Sequence, residues 1–337
     1  MDEKESILFL GDVVPHKLFK FINHYPTVIN LECPITMVGN PVPGKINLNA
    51  SENHLNTIFN GKLISVSLGN NHILDYGKKG LESTLNELEK YRISWFGLNL
   101  KAEDNYQPLI LEINQNKFAF LSAVCPSTSP VIDIENGIHL DTLDIKELID
   151  SIIELRKSVN RIVIYIHWGA EESSYPLKEE IVKARKLIDA GADIIIGTHA
   201  HAPQPIEKYK NGIIAYNLGN FIMPALKNIP TYYDERGNPQ SSYNKNLMLW
   251  NRISWGALID MNSMEFKVKK YIFIFDRVFE LPFTPLDKYI QLRQNLDHDK
   301  YEQIIQKHLK KRKIYRRIRD YINNPHIPNL VKNMVWK

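Results

Sequence analysis

Short apolar runs rich in β-branched residues recur along the chain, and each predicts a β-strand. They are only a few residues long and end at polar or glycine positions, which is typical of buried strands. Three longer segments carry apolar residues at spacings of three and four, which predicts amphipathic helices. The predicted strands are Ile7–Leu10, Val28–Leu31, Leu63–Ser67, Phe118–Ala123, Arg161–Ile166, Asp193–Ile196 and Ile213–Asn217, and the predicted helices are Leu81–Tyr91, Ile145–Lys157 and Glu179–Ala190. This alternation of strands and helices indicates an α/β protein.

The pattern changes in the last third of the chain. Residues 223–251 are polar and rich in Tyr, Asn and Pro, without a clear period. We therefore predict a long loop that serves as a lid or a substrate-specificity insertion. Two aromatic, strand-like stretches follow at Gly256–Asp260 and Phe266–Phe275. We assign residues 1–285, including this loop, to one domain.

The C-terminal segment, residues 286–337, has a helical and increasingly basic pattern. The chain has 42 Lys and Arg against 38 Asp and Glu, a difference of +4, and eight basic residues with no acid lie within Lys307–Arg319. One helical face collects the apolar residues Ile314, Ile318, Tyr321 and Ile322. This is the pattern of a basic amphipathic helix, so we expect residues 305–337 to contact an anionic membrane or a membrane-bound synthase. The alternative is a solvated helix packed on the core. No recognition motif accompanies the charges, so nucleic acid is not expected as a partner.

Composition places the chain among ordinary globular proteins. Of its 337 residues, 44% are hydrophobic and 24% are charged, which excludes disordered, collagen-like and coiled-coil classes. The longest apolar runs are strand-sized, far below the ~20 residues of a membrane-spanning helix, and the charged N-terminus does not resemble a signal peptide. The two cysteines, Cys33 and Cys125, cannot form a disulfide framework. We therefore expect a cytoplasmic protein, located at the inner face of the membrane if its basic extension binds there.

Polar side chains that can bind metal follow most of the predicted strands. They are Asp12, Glu32, Asn71 followed by His72, His167, His199 with His201, and Asn220. Because ligands bind at the carboxyl ends of strands in open α/β sheets, we expect these residues to converge although they are far apart in sequence. Carboxylate, amide and imidazole donors suit Mn, Fe or Zn ions, whereas an all-sulfur site is excluded. The sequence therefore predicts a metal site.

Most of these residues also have a simpler interpretation when each is taken alone. Asp12 is suited to cap a helix, and Glu32 could form an ion pair with a basic residue. Asp75 is placed either to orient His72 or to cap the helix that begins near Lys78. The two imidazoles of Gly-Thr-His-Ala-His, by contrast, are seldom needed for packing. The joint pattern therefore favours a metal site over separate structural roles.

Six ordered motifs give the chain a specific resemblance to a known family. The chain contains, in this order, GDVV, NLECPIT, SLGNNHILDYGKKGL, YIHWGAEE, AGADIIIGTHAHAPQ and IAYNLGNFI. These motifs resemble those of the poly-gamma-glutamate capsule biosynthesis (CapA-type) family, a branch of the calcineurin-like metallophosphoesterases. The resemblance runs from about residue 6 to about residue 222. It implies a four-layer α/β/β/α sandwich of the metallophosphoesterase type with a two-metal centre at the strand ends.

The resemblance also implies roles for individual residues. One metal ion would be held by Asp12 and His201, the other by Asn71, His167 and His199, with Glu32 bridging the two. His72 would give a proton to the leaving group, and Asp75 is its candidate orienting partner. The chain departs from the superfamily pattern at two places, because Val14 stands where the Asp-x-His motif has His, and Glu32 replaces a bridging Asp. His16 is the candidate replacement for the missing imidazole.

These observations lead to one expected function and two alternatives. We expect a metal-dependent hydrolase with two divalent ions, Mn, Fe or Zn, that acts as a phosphoesterase in the biosynthesis of a capsule or another cell-surface polymer. Its substrate would be a phosphoester or an anionic polymer. The alternatives are a non-catalytic metal-binding subunit of a membrane polymer synthase, and an amide hydrolase or ligase component that acts on a poly-glutamate-like chain. All three use the same donor set, so the sequence does not separate them.

Overall fold

The computed structural model describes residues 6–100, 106–113, 115–129, 133–134, 138–225, 230–234, 236–242, 246–290 and 298–323. The strands are β1 (Ser6–Val13), β2 (Thr27–Leu31), β3 (Leu63–Ser67), β4 (Ser94–Phe96), β5 (Leu98–Asn99), β6 (Leu109–Ile113), β7 (Asn116–Val124), β8 (Asp133–Ile134), β9 (Ile138–Leu140), β10 (Arg161–Trp168), β11 (Ile194–His199), β12 (Ile206–Tyr209), β13 (Gly212–Ala215), β14 (Asn220–Ile222), β15 (Pro230–Tyr233), β16 (Pro239–Ser242), β17 (Ile253–Asp260), β18 (Phe266–Ile274) and β19 (Arg277–Glu280). The helices are α1 (Leu55–Ile58), α2 (Gly77–Lys90), α3 (Ile145–Leu155), α4 (Lys178–Asp189), α5 (Leu249–Arg252) and α6 (His298–Asn323), with a short 3-10 helix at Asp287–Tyr289.

Two large sheets contain most of the strands. The first has the order β19-β18-β17-β1-β2-β3-β4, and β14 pairs with the end of β1. Within it β1, β2, β3 and β4 are parallel. The second has the order β12-β13-β11-β10-β7-β6, and β7, β10, β11 and β13 are parallel. Each sheet therefore presents the carboxyl ends of several parallel strands along one edge.

The two sheets pack face to face, with helices on their outer faces. In β1, Ile7 and Phe9 lie in the core between the sheets, together with Val163 of β10, and the alternate residues of β1 pack in a second core with α2. The alternate residues of β10 pack in a third core with α3 and α4. Tyr165 Oη donates to the carbonyl oxygen of Val28 across the interface, at 3.0 Å. These layers confirm the predicted four-layer α/β/β/α sandwich.

The predicted strands and helices are confirmed, but the prediction for residues 223–251 is wrong in part. The described residues of this segment include the antiparallel pair β15 and β16 and the short helix α5. The sequence pattern does not predict this pair, because each strand begins with a proline, Pro230 or Pro239. Proline usually argues against a strand, although it is tolerated at the first residue. Residues 226–229 and 243–245 lie outside the described residues, and the role of the segment as a lid stays a prediction.

Helix α6 forms half of the basic extension and packs on the body of the protein. Tyr301 and Ile305 are buried, and the Arg319 guanidinium lies 2.5 Å from Glu172 Oε1 in a buried ion pair. The apolar face predicted for this helix points away from the body, since Ile314 is 50% exposed. Residues 324–337 lie outside the described residues, and the division into two domains stays a prediction. Among the helices that the structure describes, none is both long and apolar enough to cross a bilayer.

Candidate metal centre

The predicted ligands from both sheets converge at the carboxyl ends of their strands. Asp12 is the penultimate residue of β1, and Glu32 directly follows β2 in the first sheet. His167 is the penultimate residue of β10, and His199 is the last residue of β11 in the second sheet. All four side chains are buried. The candidate centre therefore lies between the two sheets.

Glu32 belongs to two groups of potential ligand atoms. The first group combines Glu32 with Asp12 and His201, the second combines it with His167 and His199, and the atoms of each group lie within 4.8 Å of one another. Glu32 Oε1 is 3.9 Å from His167 Nε2 and 3.8 Å from His201 Nε2. These separations are too long for hydrogen bonds. They are consistent with an arrangement in which an ion lies between the donor atoms.

The first group is oriented by two asparagines. Asn30 donates to Asp12 Oδ1 at 2.9 Å, and Asn220 Oδ1 lies 2.8 Å from His201 Nδ1. The other oxygen of Asp12 is 3.3 Å from His201 Nδ1. Gly11 makes this geometry accessible, because a Cβ there would approach a backbone oxygen of the segment that precedes Asn220 to 2.1 Å.

The two imidazoles of the second group lie beside the amide oxygen of Asn71. His167 Nε2 lies 2.9 Å from Asn71 Oδ1 and 3.1 Å from His199 Nδ1. The opposite nitrogen of the His167 ring, Nδ1, lies 3.0 Å from Thr198 Oγ1. This contact fixes the ring so that Nε2 points toward Asn71 and His199, which is a common way of orienting a ligating histidine.

The imidazoles of the second group are neutral at physiological pH. Burial lowers the pKa of His167 well below its usual value, and the neighbouring His199 and His201 lower it further. Burial also lowers the pKa of His199 to about 4, although Glu171 opposes the change. A neutral imidazole is the form that coordinates metal ions.

His72 and Asp75 form a second pair of side chains beside the candidate ligands. His72 Nδ1 lies 2.7 Å from Asp75 Oδ2, and Asp75 also accepts from the backbone N–H of Leu48 at 2.7 Å. Lys45 pairs with Asp75 Oδ1 and donates to the carbonyl oxygen of Asn71. Burial lowers the pKa of His72, and the Asp75 carboxylate opposes this change. Helix α2 begins without a side-chain cap, so Asp75 does not take the alternative role of a helix cap.

A strained turn brings His199 and His201 to the same centre. Their φ angles are 87° and 54°, in the left-handed region that non-glycine residues adopt at a cost. Two hydrogen bonds hold the turn: the backbone N–H of Glu172 donates to Ala200 O at 2.6 Å, and Asn251 Nδ2 donates to His201 O at 3.1 Å. Strain of this kind persists where surrounding contacts enforce it, which is typical of functional sites.

The residues present fit divalent metal ions. Asp12 Oδ2 is buried and accepts no hydrogen bond from the described residues. A buried carboxylate oxygen in this state is costly unless a cation compensates it. His201 Nδ1, 3.3 Å from this oxygen, lies closer to the amide oxygen of Asn220, at 2.8 Å. The donors are oxygen and imidazole nitrogen, which suits Mn, Fe or Zn ions.

The structure also shows which residues the sequence did not identify. Asn30 and Lys45 contact the candidate ligands or Asp75 without having been singled out, and the only signal was a polar residue within an apolar strand at Asn30. The suggestion that His16 replaces a missing imidazole is wrong. His16 packs against the Phe19 ring with a centroid separation of 5.3 Å and belongs to neither ligand group.

Comparison with known proteins gives matches in both sequence and structure. The chain is 30% identical over 196 residues to the PGA biosynthesis protein CapA of Bacillus subtilis (strain 168), covering 57% of this chain and 52% of that protein. It is 28% identical over 182 residues to the capsule biosynthesis protein CapA of Bacillus anthracis, covering 52% of this chain and 44% of that protein. The chain thus spans about half the length of these curated relatives.

The solved structures that resemble the chain are distant. The 5'-nucleotidase from Candida albicans SC5314 aligns with a TM-score of 0.45 at 9% identity, covering 91% of this chain and 57% of that chain. The sulfate thiohydrolase SoxB of Thermus thermophilus aligns with a TM-score of 0.42 at 12% identity, covering 91% and 60%. Likenesses at this level carry no argument about activity.

The family model described as "Bacterial capsule synthesis protein PGA_cap" matches residues 14–225, which is more than half of the chain. The matched region contains Glu32 and all the candidate histidines of the centre, while Asp12 lies just before it. The chain belongs to the bacterial capsule synthesis protein PGA_cap family.

Proposed function

We propose that the protein is a hydrolase that uses two divalent metal ions to cleave phosphoesters in the synthesis of a capsule or another anionic cell-surface polymer. The observation that carries this proposal is the position of Glu32, whose carboxylate belongs to both groups of buried ligand atoms. One carboxylate shared by two donor groups is suited to bridge a pair of ions of the kind that two-metal hydrolases use. The family of the chain and the names of its relatives support the place in capsule synthesis.

The proposed ligands are the residues that converge between the sheets. Asp12, Glu32 and His201 would hold one ion, and Glu32, Asn71, His167 and His199 the other. Ions bound there would stabilise the negative charge that develops on the ester oxygens and make water reactive at neutral pH. The side chains supply the rest of the chemistry, which is orientation and proton transfer.

His72 is the proposed proton donor to the leaving oxygen. Asp75 holds its Nδ1, so the ring is fixed and Nε2 is the atom that exchanges a proton with the substrate. Burial lowers the pKa of His72, but the Asp75 carboxylate acts in the opposite direction, and it thereby favours the protonated ring that proton donation requires. Lys45 bonds both Asp75 and the backbone of Asn71, and it thereby ties the proton donor to the metal centre.

The test is a substrate panel with the purified protein loaded with Mn²⁺, Zn²⁺ or Fe²⁺. We expect hydrolysis of 4-nitrophenyl phosphate or bis(4-nitrophenyl) phosphate that EDTA removes and added metal restores. His167→Ala should lose this activity, whereas His54→Ala, which changes a histidine outside the centre, should keep it. A γ-glutamyl dipeptide in the same panel tests amide hydrolysis, which the names of the relatives favour as the second candidate. Turnover of the dipeptide alone, or of no substrate with any metal, contradicts the phosphoesterase proposal.

We also propose that the outward face of α6, defined by Ile314, Ile318, Tyr321 and Ile322, contacts an anionic membrane. These four side chains are at least half exposed, and exposed basic residues, among them Lys313 and Arg317, surround them. The only acid between residues 303 and 323 is Asp320, which is buried beside Arg319. A surface that is both apolar and basic complements an anionic lipid interface, whereas a second copy would bring like charges together.

A further inference from the structure

A cavity separate from the metal centre lies between α5, α6 and the segment before the 3-10 helix. Its volume is about 410 Å³, within the ~300–1,000 Å³ that small-molecule sites occupy. Leu249 and Ile253 line one side, and Leu286 lines another. None of the predicted metal ligands is among its lining residues. The cavity is therefore distinct from the candidate metal centre.

The polar part of the cavity wall is cationic. Lys288, Lys311 and Arg312 line it, and none of the described residues that line it is acidic. His308 also lines it and accepts from the backbone N–H of Ser174 through Nε2, at 3.1 Å, which requires a neutral ring. Burial, with the added effect of the cations Arg312, Lys311 and Lys288, lowers the pKa of His308 to about 4. The cavity thus combines three cations with an imidazole that their field keeps neutral.

The apolar part of the wall is aromatic as well as aliphatic. The Arg312 guanidinium lies over the Trp250 ring, 4.0 Å from its centroid, and this contact fixes the position of both side chains. Trp250 Nε1 is buried and has no hydrogen-bond acceptor among the described residues. A buried donor in this state costs free energy that an acceptor oxygen would recover. Tyr315, 42% exposed, forms the rim next to Lys311.

We propose that this cavity binds an organic anion with an apolar body, such as an alkyl phosphate or an alkyl carboxylate. The cations and the indole N–H would receive the anionic head, and the leucine, isoleucine and tryptophan side chains would contact the body. The site is close to the metal centre, because Asn251, next to Trp250, donates to the carbonyl oxygen of His201. The inference does not depend on the proposed hydrolase activity.

The experiment is an NMR titration of the full-length protein with hexylphosphonate, whose C–P bond a phosphoesterase does not cleave. The His308 ring signals, assigned with His308→Asn, report on the cavity. We expect saturable changes in these signals and a rise of about one unit in the pKa of His308, because a bound anion offsets the field of the cations. Hexanoate should act in the same way, whereas hexanol and inorganic phosphate should bind more weakly and hexylammonium should not bind.

Variants at neighbouring positions of α6 provide the control. Lys311→Glu should weaken hexylphosphonate about tenfold or more, because it places a negative charge at the anion site. Lys311→Arg should retain binding, and Lys310→Glu, which changes an exposed lysine outside the cavity, should leave it nearly unchanged. The proposal is overturned if the His308 signals do not respond, if hexylammonium binds as tightly, or if both glutamate variants behave alike. None of these results depends on hydrolysis, so each is distinct from failure of the proposed function.

Discussion

His72 and His199 differ in their contacts, and this difference underlies the separate roles proposed for them, proton transfer for His72 and metal binding for His199. His199 Nδ1 points toward His167 within the second ligand group, whereas His72 Nδ1 is bound to the carboxylate of Asp75. The sequence could identify both histidines because each follows a strand. It could not show that Asp75 pairs with His72 instead of capping α2, because that choice depends on Lys45 and Leu48 from a distant loop.

We predict that His72→Ala lowers kcat for a phosphoester with a poor leaving group by about 10²- to 10⁴-fold, while metal content stays at the wild-type level. The loss should be smaller for 4-nitrophenyl phosphate, whose leaving group needs no proton. His199→Ala should instead lose both metal and activity. Elemental analysis and steady-state kinetics on the three proteins check this, and metal loss in His72→Ala would assign that residue to ligation.

Glu180 is a buried carboxyl whose ionisation affects stability. Burial raises its pKa to about 7, and it accepts from the backbone N–H of Leu177 at 2.7 Å. Because the pKa of Glu180 is higher in the folded state, its protonated carboxyl contributes stability that is fully present below the unfolded pKa, near 4.5. This contribution is lost as the pH rises through about 7. We predict that Glu180→Gln removes this loss, so that the variant gains about 3 kcal/mol relative to wild type between pH 4.5 and pH 8.

Urea unfolding of wild type and Glu180→Gln at both pH values measures this effect. Glu179→Gln is the matched control, because Glu179 is exposed on the adjacent position of α4. Parallel pH profiles for wild type and Glu180→Gln would contradict the assignment of a raised pKa to this group.

At the scale of elements, the sequence defines which residues share a face better than it defines where that face points. The apolar period of α6 was evident, yet the helix turns Arg312 and Arg319 inward and leaves Ile314 exposed. The reason is non-local, since Glu172, which follows β10, provides the buried partner of Arg319. The short strands β15 and β16 were missed because proline interrupts the periodic pattern on which strand prediction depends.

We predict that Arg319→Met destabilises the fold by about 3 to 5 kcal/mol, because Glu172 keeps its buried charge and loses a guanidinium partner. Arg319→Met combined with Glu172→Gln should be less destabilised than the single variant. Arg317→Met, at an exposed position of the same helix, should have an effect within about 0.5 kcal/mol. Chemical denaturation of these variants and of the single variant Glu172→Gln measures the differences in the free energy of unfolding. A double variant whose destabilisation equals the sum of the two single destabilisations would contradict direct coupling.

The outward face of α6 gives a separate prediction about membranes. We expect the full-length protein to bind phosphatidylglycerol vesicles at low salt, since each nearby Lys or Arg contributes about 1 kcal/mol, and to release them as salt increases. The double variant Ile314→Ser/Ile318→Ser should bind more weakly. Ile153→Ser/Val182→Ser, at exposed positions of α3 and α4, is the matched control. Cosedimentation that shows no wild-type binding, or equal binding to neutral phosphatidylcholine, contradicts the membrane proposal.

At the scale of the whole molecule, the candidate centre depends on the meeting of two sheets. The strand-end reasoning assumed one open sheet, but Asp12 and Glu32 come from the first sheet while His167 and His199 come from the second. The apolar runs predicted the strands. A strand that is buried on both faces is apolar throughout, so its sequence does not indicate which sheet it joins. The four-layer arrangement was predicted through the family motifs, because periodicity alone does not specify how the sheets pack.

Metal stoichiometry tests the central claim most directly, namely that Glu32 joins two ion sites. The protein is loaded with Mn²⁺, freed of unbound metal by gel filtration and measured by elemental analysis, beside Glu32→Gln and the control His54→Ala. We predict about two ions per chain for wild type and for His54→Ala, and a loss of most bound metal in Glu32→Gln, whose amide cannot bridge two cations as a carboxylate does. No more than one ion per wild-type chain, or full occupancy in Glu32→Gln, would contradict this account.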